Sequence, residues 1–244
     1  MITQLISGAG YFFRGIALMM KPGVRRFVLI PFLINIILFV GVSYYIFSHL
    51  GVWVDQLLPG WLEWLSWILI PLFGIALLLV GFFSFTLVGN LIASPFNSFL
   101  SAAVEAHLTG NKISEESYGS MLKEVGRTII NEVRKIMYFI LWAIPFLILF
   151  IIPGLNIIAP FTWLAFAAWM LSLEYCDYPY GNHAILFVTV RQHLSKKRPT
   201  ALGFGGVVMF VTSIPVVNFI VMPAAVAGAT AMYVEKLRET PAGA

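Results

Sequence analysis

Apolar and polar positions fall into long blocks along this chain. Phe27 to Ser48 is 22 residues without an ionisable group. As a helix it reaches about 33 Å, enough to cross a ~30 Å hydrocarbon layer. A short polar loop with Asp55, Pro59, Gly60 and Glu63 follows. Trp64 to Val104 then runs 41 residues without a charge. The pattern predicts a first span over 27–48 and a second over 62–91, with Pro71 placed to kink the second near its start. Four of the seven tryptophans, Trp53, Trp61, Trp64 and Trp67, gather around the intervening loop. They suit an aromatic belt at one membrane interface.

The period changes after residue 98. Ser114 suits a helix cap, with Glu115 and Glu116 in the first turn. Tyr118, Met121, Leu122, Val125, Ile129, Val133 and Ile136 then recur at helical spacing, with charges on the other faces. Residues 98–135 are therefore expected as amphipathic helices at a membrane surface.

An internal repeat fills the rest. Ile152-Pro153-Gly154-Leu155-Asn156-Ile157-Ile158 is echoed by Ile214-Pro215-Val216-Val217-Asn218-Phe219-Ile220, and Pro160 and Pro223 follow the two copies. Each Pro-x-x-Asn stops a helix, because proline lacks a donor and clashes with the preceding turn. The rising arms, from Met137 to Ile152 and from Ala201 to Ile214, reach only about 24 and 21 Å. Both fall short of ~30 Å. Two re-entrant hairpins are expected, over 137–173 and 201–233, joined by a polar segment over 174–200. The alternative is that both cross fully and thin the bilayer. Backbone at a turn inside the bilayer must be buried in protein or line a wet cavity. Asn156 and Asn218 are placed to cap these turns or face such a cavity.

Composition agrees with membrane residence. Of 244 residues, 60% are hydrophobic and 11% charged, where a soluble domain carries roughly 25% charged. The fifteen Lys and Arg fall in four groups, 14–26, 112–135, 191–198 and 236–238, and the loop between the first two spans carries only acids. By the positive-inside rule both termini and both large basic segments are expected in the cytoplasm. The net charge of +4 then reflects topology, and no nucleic-acid partner is expected. The one cysteine, Cys176, allows no intrachain disulfide. The four histidines lie at no metal-site spacing, and there is no P-loop or dinucleotide fingerprint. No metal, no cofactor and no enzymatic activity are expected.

One segment suggests chemistry. Lys21-Pro22-Gly23-Val24-Arg25-Arg26 stands just before the first span. If Pro22 opens that helix, first-turn amides, the positive dipole end and two guanidiniums converge on one point. Such a point suits a tetrahedral dianion, although basic residues before a first span are also what the inside rule predicts.

Pro22-Gly23-Val24-Arg25-Arg26-Phe27, with Pro31 and Asn35 after it, resembles the opening of the CysZ sulfate permeases. Gly89-Asn90-Leu91-Ile92-Ala93-Ser94-Pro95-Phe96-Asn97, Leu173-Glu174-Tyr175, Asp177-Tyr178-Pro179, Gly181-Asn182-His183 and Leu202-Gly203-Phe204-Gly205 are similar too. The resemblance implies an all-α integral membrane protein with two long transmembrane helices and two hemi-penetrating hairpins, assembled as a homo-oligomer in the bacterial inner membrane. It implies sulfate uptake for cysteine biosynthesis. The family's sulfate motif, Gly-Leu-Arg, falls on Gly23, Val24 and Arg25, with Arg26 beside it. Valine stands here for leucine, and that position is expected to contribute mainly its N–H. Asn35, Asn90, Asn156 and Asn218 are the expected pathway lining. The charge rule puts the arginines on the cytoplasmic face, so they mark an exit or regulatory site, or some protomers insert inverted. A non-conducting accessory subunit of another sulfate transporter, and a transporter of sulfite or thiosulfate, remain the alternatives.

Overall fold

The apolar blocks of the sequence become long helices. The computed structural model describes residues 1–57, 60–110, 125–214 and 217–238. Its elements are α1 (Ile2–Met19), α2 (Arg26–Leu57), a 3₁₀ turn (Gly60–Leu65), α3 (Ser66–Thr109), α4 (Val125–Ile151), a 3₁₀ turn (Leu155–Ile157), α5 (Ala159–Gly181), α6 (Phe187–Lys196), α7 (Arg198–Thr212), α8 (Asn218–Met232) and a π-helical turn (Tyr233–Leu237). No strand occurs among the described residues. Three helical stretches among these residues are long and apolar enough to cross a membrane: Arg26–Val54, Val133–Ile151 and Ile220–Leu237. The chain divides into two compact units, residues 27–96 and residues 1–26 with 97–244.

In the unit of residues 27–96, α2 and the first part of α3 lie antiparallel. Phe47 and Leu50 approach Gly74, and Phe39, Val42 and Ile46 face Leu77, Leu78 and Gly81 across a shallow apolar cleft. Helix α2 has 32 residues and runs beyond the expected end at Ser48. The rings of Tyr45, His49 and Trp53 follow one another at four-residue spacing, with centroids 4.4 and 5.9 Å apart. The Ser48 hydroxyl donates back to the Tyr45 carbonyl at 2.9 Å. These contacts carry the helix through the polar positions. Most large apolar side chains of α2 are exposed, from Leu29 to Phe47. That is the surface of a helix solvated by lipid or by another protein.

The larger unit is a bundle in which α1 packs on α7 and α8, and α5 packs on α7 and α8. The first 26 residues are expected from sequence only as a cytoplasmic segment carrying the anion motif, and the structure gives them the 18-residue helix α1. It buries Gly8, Tyr11, Phe12, Gly15, Leu18 and Met19, a face recurring every three to four residues. Backbone meets backbone there. A Cβ on Gly8 would strike the Thr200 carbonyl, one on Gly15 the Ala224 carbonyl, and one on Gly203 the Leu5 carbonyl. On the other side of α7, a Cβ on Gly205 would strike the Ala168 carbonyl of α5. In lipid no hydrophobic force drives helices together, so small residues that admit close contact supply the packing. Along its second half α1 is held by an ion pair, Arg14 Nη1 to Glu235 Oε2 at 2.7 Å, which the Tyr11 hydroxyl joins at 3.2 Å.

The first hairpin differs from expectation at its base. Helix α4 begins at Val125 rather than near Met137, so the amphipathic helix expected to end at Lys135 is continuous with the rising arm. Residues 98–109 likewise belong to α3, and residues 111–124, including the Ser114 cap, lie outside the described residues. Lys135 explains the continuity. It is 9% exposed and reaches Glu174 at 3.0 Å and Asp177 at 3.3 Å on α5. A buried lysine is tolerated because both partners are acids. The helix therefore passes through a charge that read, in sequence, as a boundary. The 19-residue stretch Val133–Ile151 counts Arg134 and Lys135 among its first three residues, which leaves an apolar arm close to the length expected.

The glycine contacts give a testable contrast on one helix. Gly15→Ala forces a methyl into backbone, whereas the same change at Gly10 meets nothing within 4 Å. Gly15→Ala is expected to cost about 2 kcal/mol, and Gly10→Ala to stabilise by about 0.5–1 kcal/mol. Thermal unfolding of the two purified variants in detergent reads both signs.

Candidate functional site

The candidate anion segment is a turn that joins α1 to α2, and Pro22 does not open α2, which begins at Arg26. Gly23 has φ +84°, and the Val24 amide donates to the Lys21 carbonyl at 3.1 Å. With Pro at the second position and Gly at the third, this is the pattern of a type II turn. The Arg25 amide donates to the same Lys21 carbonyl at 3.1 Å. The Val24 N–H, expected to face a ligand, is therefore spent within the turn. The Val24 side chain is 2% exposed and pins the turn to the protein. Lys21, Gly23, Arg25 and Arg26 are exposed. The arrangement presents cationic side chains beside a glycine whose outer face is open, since a Cβ there would meet nothing within 4 Å.

The four asparagines expected to line a pathway are not gathered into one unit. Asn35 and Asn90 belong to the unit of residues 27–96, and Asn156 and Asn218 to the larger one. Asn35 is half-buried on α2, and its Oδ1 is buried without a hydrogen-bond partner among the described residues. Asn90 lies within α3 and Asn218 begins α8, and the side chains of both are outside the described residues. Asn156 is exposed in the first hairpin turn, where its amide donates to the Ile152 carbonyl at 3.1 Å and Gly154 has φ +87°.

The larger unit also holds polar side chains that pattern reading passed over. Asn97, Ser101 and Glu105 recur every four residues on α3, hence on one face. Asn97 is 5% exposed, and Ser101 and its partner Thr230 are fully buried, with Thr230 Oγ1 donating to Ser101 Oγ at 2.9 Å. The Asn182 amide donates to the Ser98 carbonyl at 3.1 Å. Glu105 meets His183 Nε2 at 2.8 Å and Arg238 Nη1 at 3.6 Å. The Tyr180 hydroxyl bonds His193 Nδ1 at 3.0 Å, and the Tyr180 ring sits 4.6 Å from that of Tyr233. The four-residue recurrence of Asn, Ser and Glu in an otherwise apolar helix was the available signal. Among the described residues no group of three His, Cys, Asp or Glu side chains is set to hold a metal ion. Cys176 is fully buried.

Residues 11–223 match the family model described as sulfate transporter CysZ/etoposide-induced protein 2.4. A Vibrio cholerae serotype O1 protein named sulfate transporter CysZ is 45% identical over 236 residues, covering 95% of this chain and 94% of the relative. A Vibrio parahaemolyticus protein of the same name is 44% identical over 240 residues, covering 97% of both chains. One from Pectobacterium atrosepticum, also so named, is 41% identical over 240 residues, covering 97% of this chain and 87% of its own.

The turn generates its own test. Alanine at Gly23 would be strained by φ +84° alone, because no neighbour obstructs it. Gly23→Ala is expected to cost about 1–2 kcal/mol, read by thermal unfolding. Asparagine tolerates this region better, so Gly23→Asn should cost less than Gly23→Ala.

Proposed function

This chain belongs to the sulfate transporter CysZ/etoposide-induced protein 2.4 family, and from that premise we propose that it is a sulfate permease of a bacterial inner membrane, taking up sulfate for cysteine biosynthesis. Sulfate binds at the turn of Gly23, Val24, Arg25 and Arg26. The carrying observation is the turn itself: Val24 is anchored in the protein while Gly23 and both arginines face outward. Two guanidiniums match a tetrahedral dianion, each able to donate paired N–H groups. Gly23 lets an oxygen approach the backbone that any side chain would fence off. Val24 serves through its side chain, holding the turn in register. The protein acts as a transporter and not as an enzyme.

The membrane arrangement is part of the same reading. Two long helices, α2 and α3, cross the bilayer, and two hairpins, α4–α5 and α7–α8, enter it and turn back. Helix α7 has 15 residues, or about 22 Å. The tips support the reading more strongly than the lengths. Ile151, Ile157 and Phe161 of the first, and Phe210 of the second, are each at least 70% exposed. Large apolar side chains exposed at a bend belong in hydrocarbon rather than in water. The basic segments then lie on the cytoplasmic side with both termini. The exposed apolar length of α2 suits lipid and a second copy of the chain in a homo-oligomer. Asn35, Asn90, Asn156 and Asn218 supply polar groups along the route, because a bare dianion in lipid is prohibitive without them.

Arg25→Ala is expected to weaken sulfate binding by about tenfold or more, as loss of a hydrogen bond to a charged group does. Scintillation-proximity binding of radiolabelled sulfate to the purified variant measures it. Wild-type affinity in Arg25→Ala would exclude the turn as the binding site.

A further inference from the structure

Inside the larger unit, one buried donor is poorly used. The Asn97 carboxamide is 5% exposed, and its Nδ2 faces Met222 Sδ at 3.1 Å and the Tyr178 hydroxyl at 3.4 Å. A thioether is a weak acceptor. A distance of 3.4 Å lies beyond the usual range of an N–H···O bond. Both contacts are therefore feeble, and a buried amide ordinarily finds better. Val221, Ala224 and Ala225, which flank Met222 and Pro223 on α8, are all buried.

Two further observations meet at the same level. Met222 is followed by Pro223, inside α8. Proline has no N–H, so the carbonyl of residue 219 lacks its helical partner. Backbone left open in a membrane bundle is tolerated where protein or water satisfies it. Asn97 also begins the polar stripe on α3. Ser101, bonded to Thr230, stands one turn further on, and Glu105, held by His183 and Arg238, two turns further. Polar side chains inside a membrane bundle mark either helix-to-helix glue or a route for polar cargo. Glue needs good hydrogen bonds, and Asn97 does not have them.

We infer that the Asn97 carboxamide, with the Tyr178 hydroxyl beside it, is a contact point for the crossing oxyanion within the bundle. It donates N–H to sulfate oxygen when the helices part, and rests on Met222 when they close. The inference depends on the transport reading above and adds to it a residue remote in sequence from the binding turn. It makes Asn97 a determinant of passage rather than of binding at Gly23–Arg26.

The test uses full-length protein in liposomes with radiolabelled sulfate, beside equilibrium sulfate binding and thermal unfolding of the same preparations. Asn97→Leu removes the donors at nearly constant volume. Flux is expected to fall about tenfold or more, with sulfate binding unchanged and stability equal or higher. A structural role predicts the reverse, lower stability with full flux, and that result overturns the proposal. Should Asn97→Leu not fold, Asn97→Ala makes the same deletion without adding bulk, and full flux in it would equally refute the contact. Wild-type protein that carries no sulfate overturns the transport reading and this contact together. Wild-type flux alongside undiminished flux in the variant overturns the contact alone.

Discussion

Lipid offers a backbone amide no partner, and this structure is organised around the few places where helical hydrogen bonding stops. Three of those places among the described residues close on themselves. Between α1 and α2, the Val24 and Arg25 amides share the Lys21 carbonyl. At the first hairpin tip, the Leu155 and Asn156 amides share the Ile152 carbonyl. After α5, the Ile185 amide returns to the Tyr180 carbonyl, and the Ala184 amide to that of Gly181. Two of the three turns place a glycine at positive φ, and the third takes Ala184 there, at φ 56°.

Helix contacts then fix where those bends sit. Gly8 and Gly15 let α1 lie directly on the backbones of α7 and α8, and Gly205 lets α7 lie on α5. The turn at Lys21–Arg25 follows α1 after Met20, and the buried Val24 holds it against the protein. A chain of ordinary packing contacts thus leads from the second hairpin to the proposed sulfate site. The cationic face of the turn stands on an apolar anchor, the buried Val24 side chain. The same logic explains why Lys135 does not end α4: Glu174 and Asp177 satisfy it from the facing helix.

Much of this was legible in the sequence, and the exceptions share a cause. The long apolar helices and the break after Ile151 at Pro153-Gly154 follow from hydrophobic length and turn chemistry, which are local; Pro215 and Val216 of the second Pro-x-x-Asn lie outside the described residues. Helix α1 escaped because its amphipathic face is built from glycines, whose role appears only when a second backbone arrives. The continuity of α4 escaped because Lys135 looks like a boundary until its partners on α5 are known. Pro22-Gly23 reads equally as a helix opening or as a type II turn, and the bond from Val24 to Lys21 decides between them. Asn97, Ser101 and Glu105 were visible as a four-residue recurrence, but their partners lie more than 75 residues away. Long-range satisfaction of polar groups is what a linear pattern leaves out.

The central claim is that the two hairpins enter the membrane and turn back within it, so that the apolar side chains at their tips rest in hydrocarbon. Single cysteines introduced at Leu155 and Val217, with Cys176 replaced by serine, can be challenged in oriented vesicles by a bulky, membrane-impermeant thiol reagent. The account predicts no labelling at either tip from the side opposite the termini, while a cysteine at Gly60, between the two long helices, reacts from that side. Labelling of Leu155→Cys and Val217→Cys as readily as Gly60→Cys would mean that all six helices cross, and would contradict it.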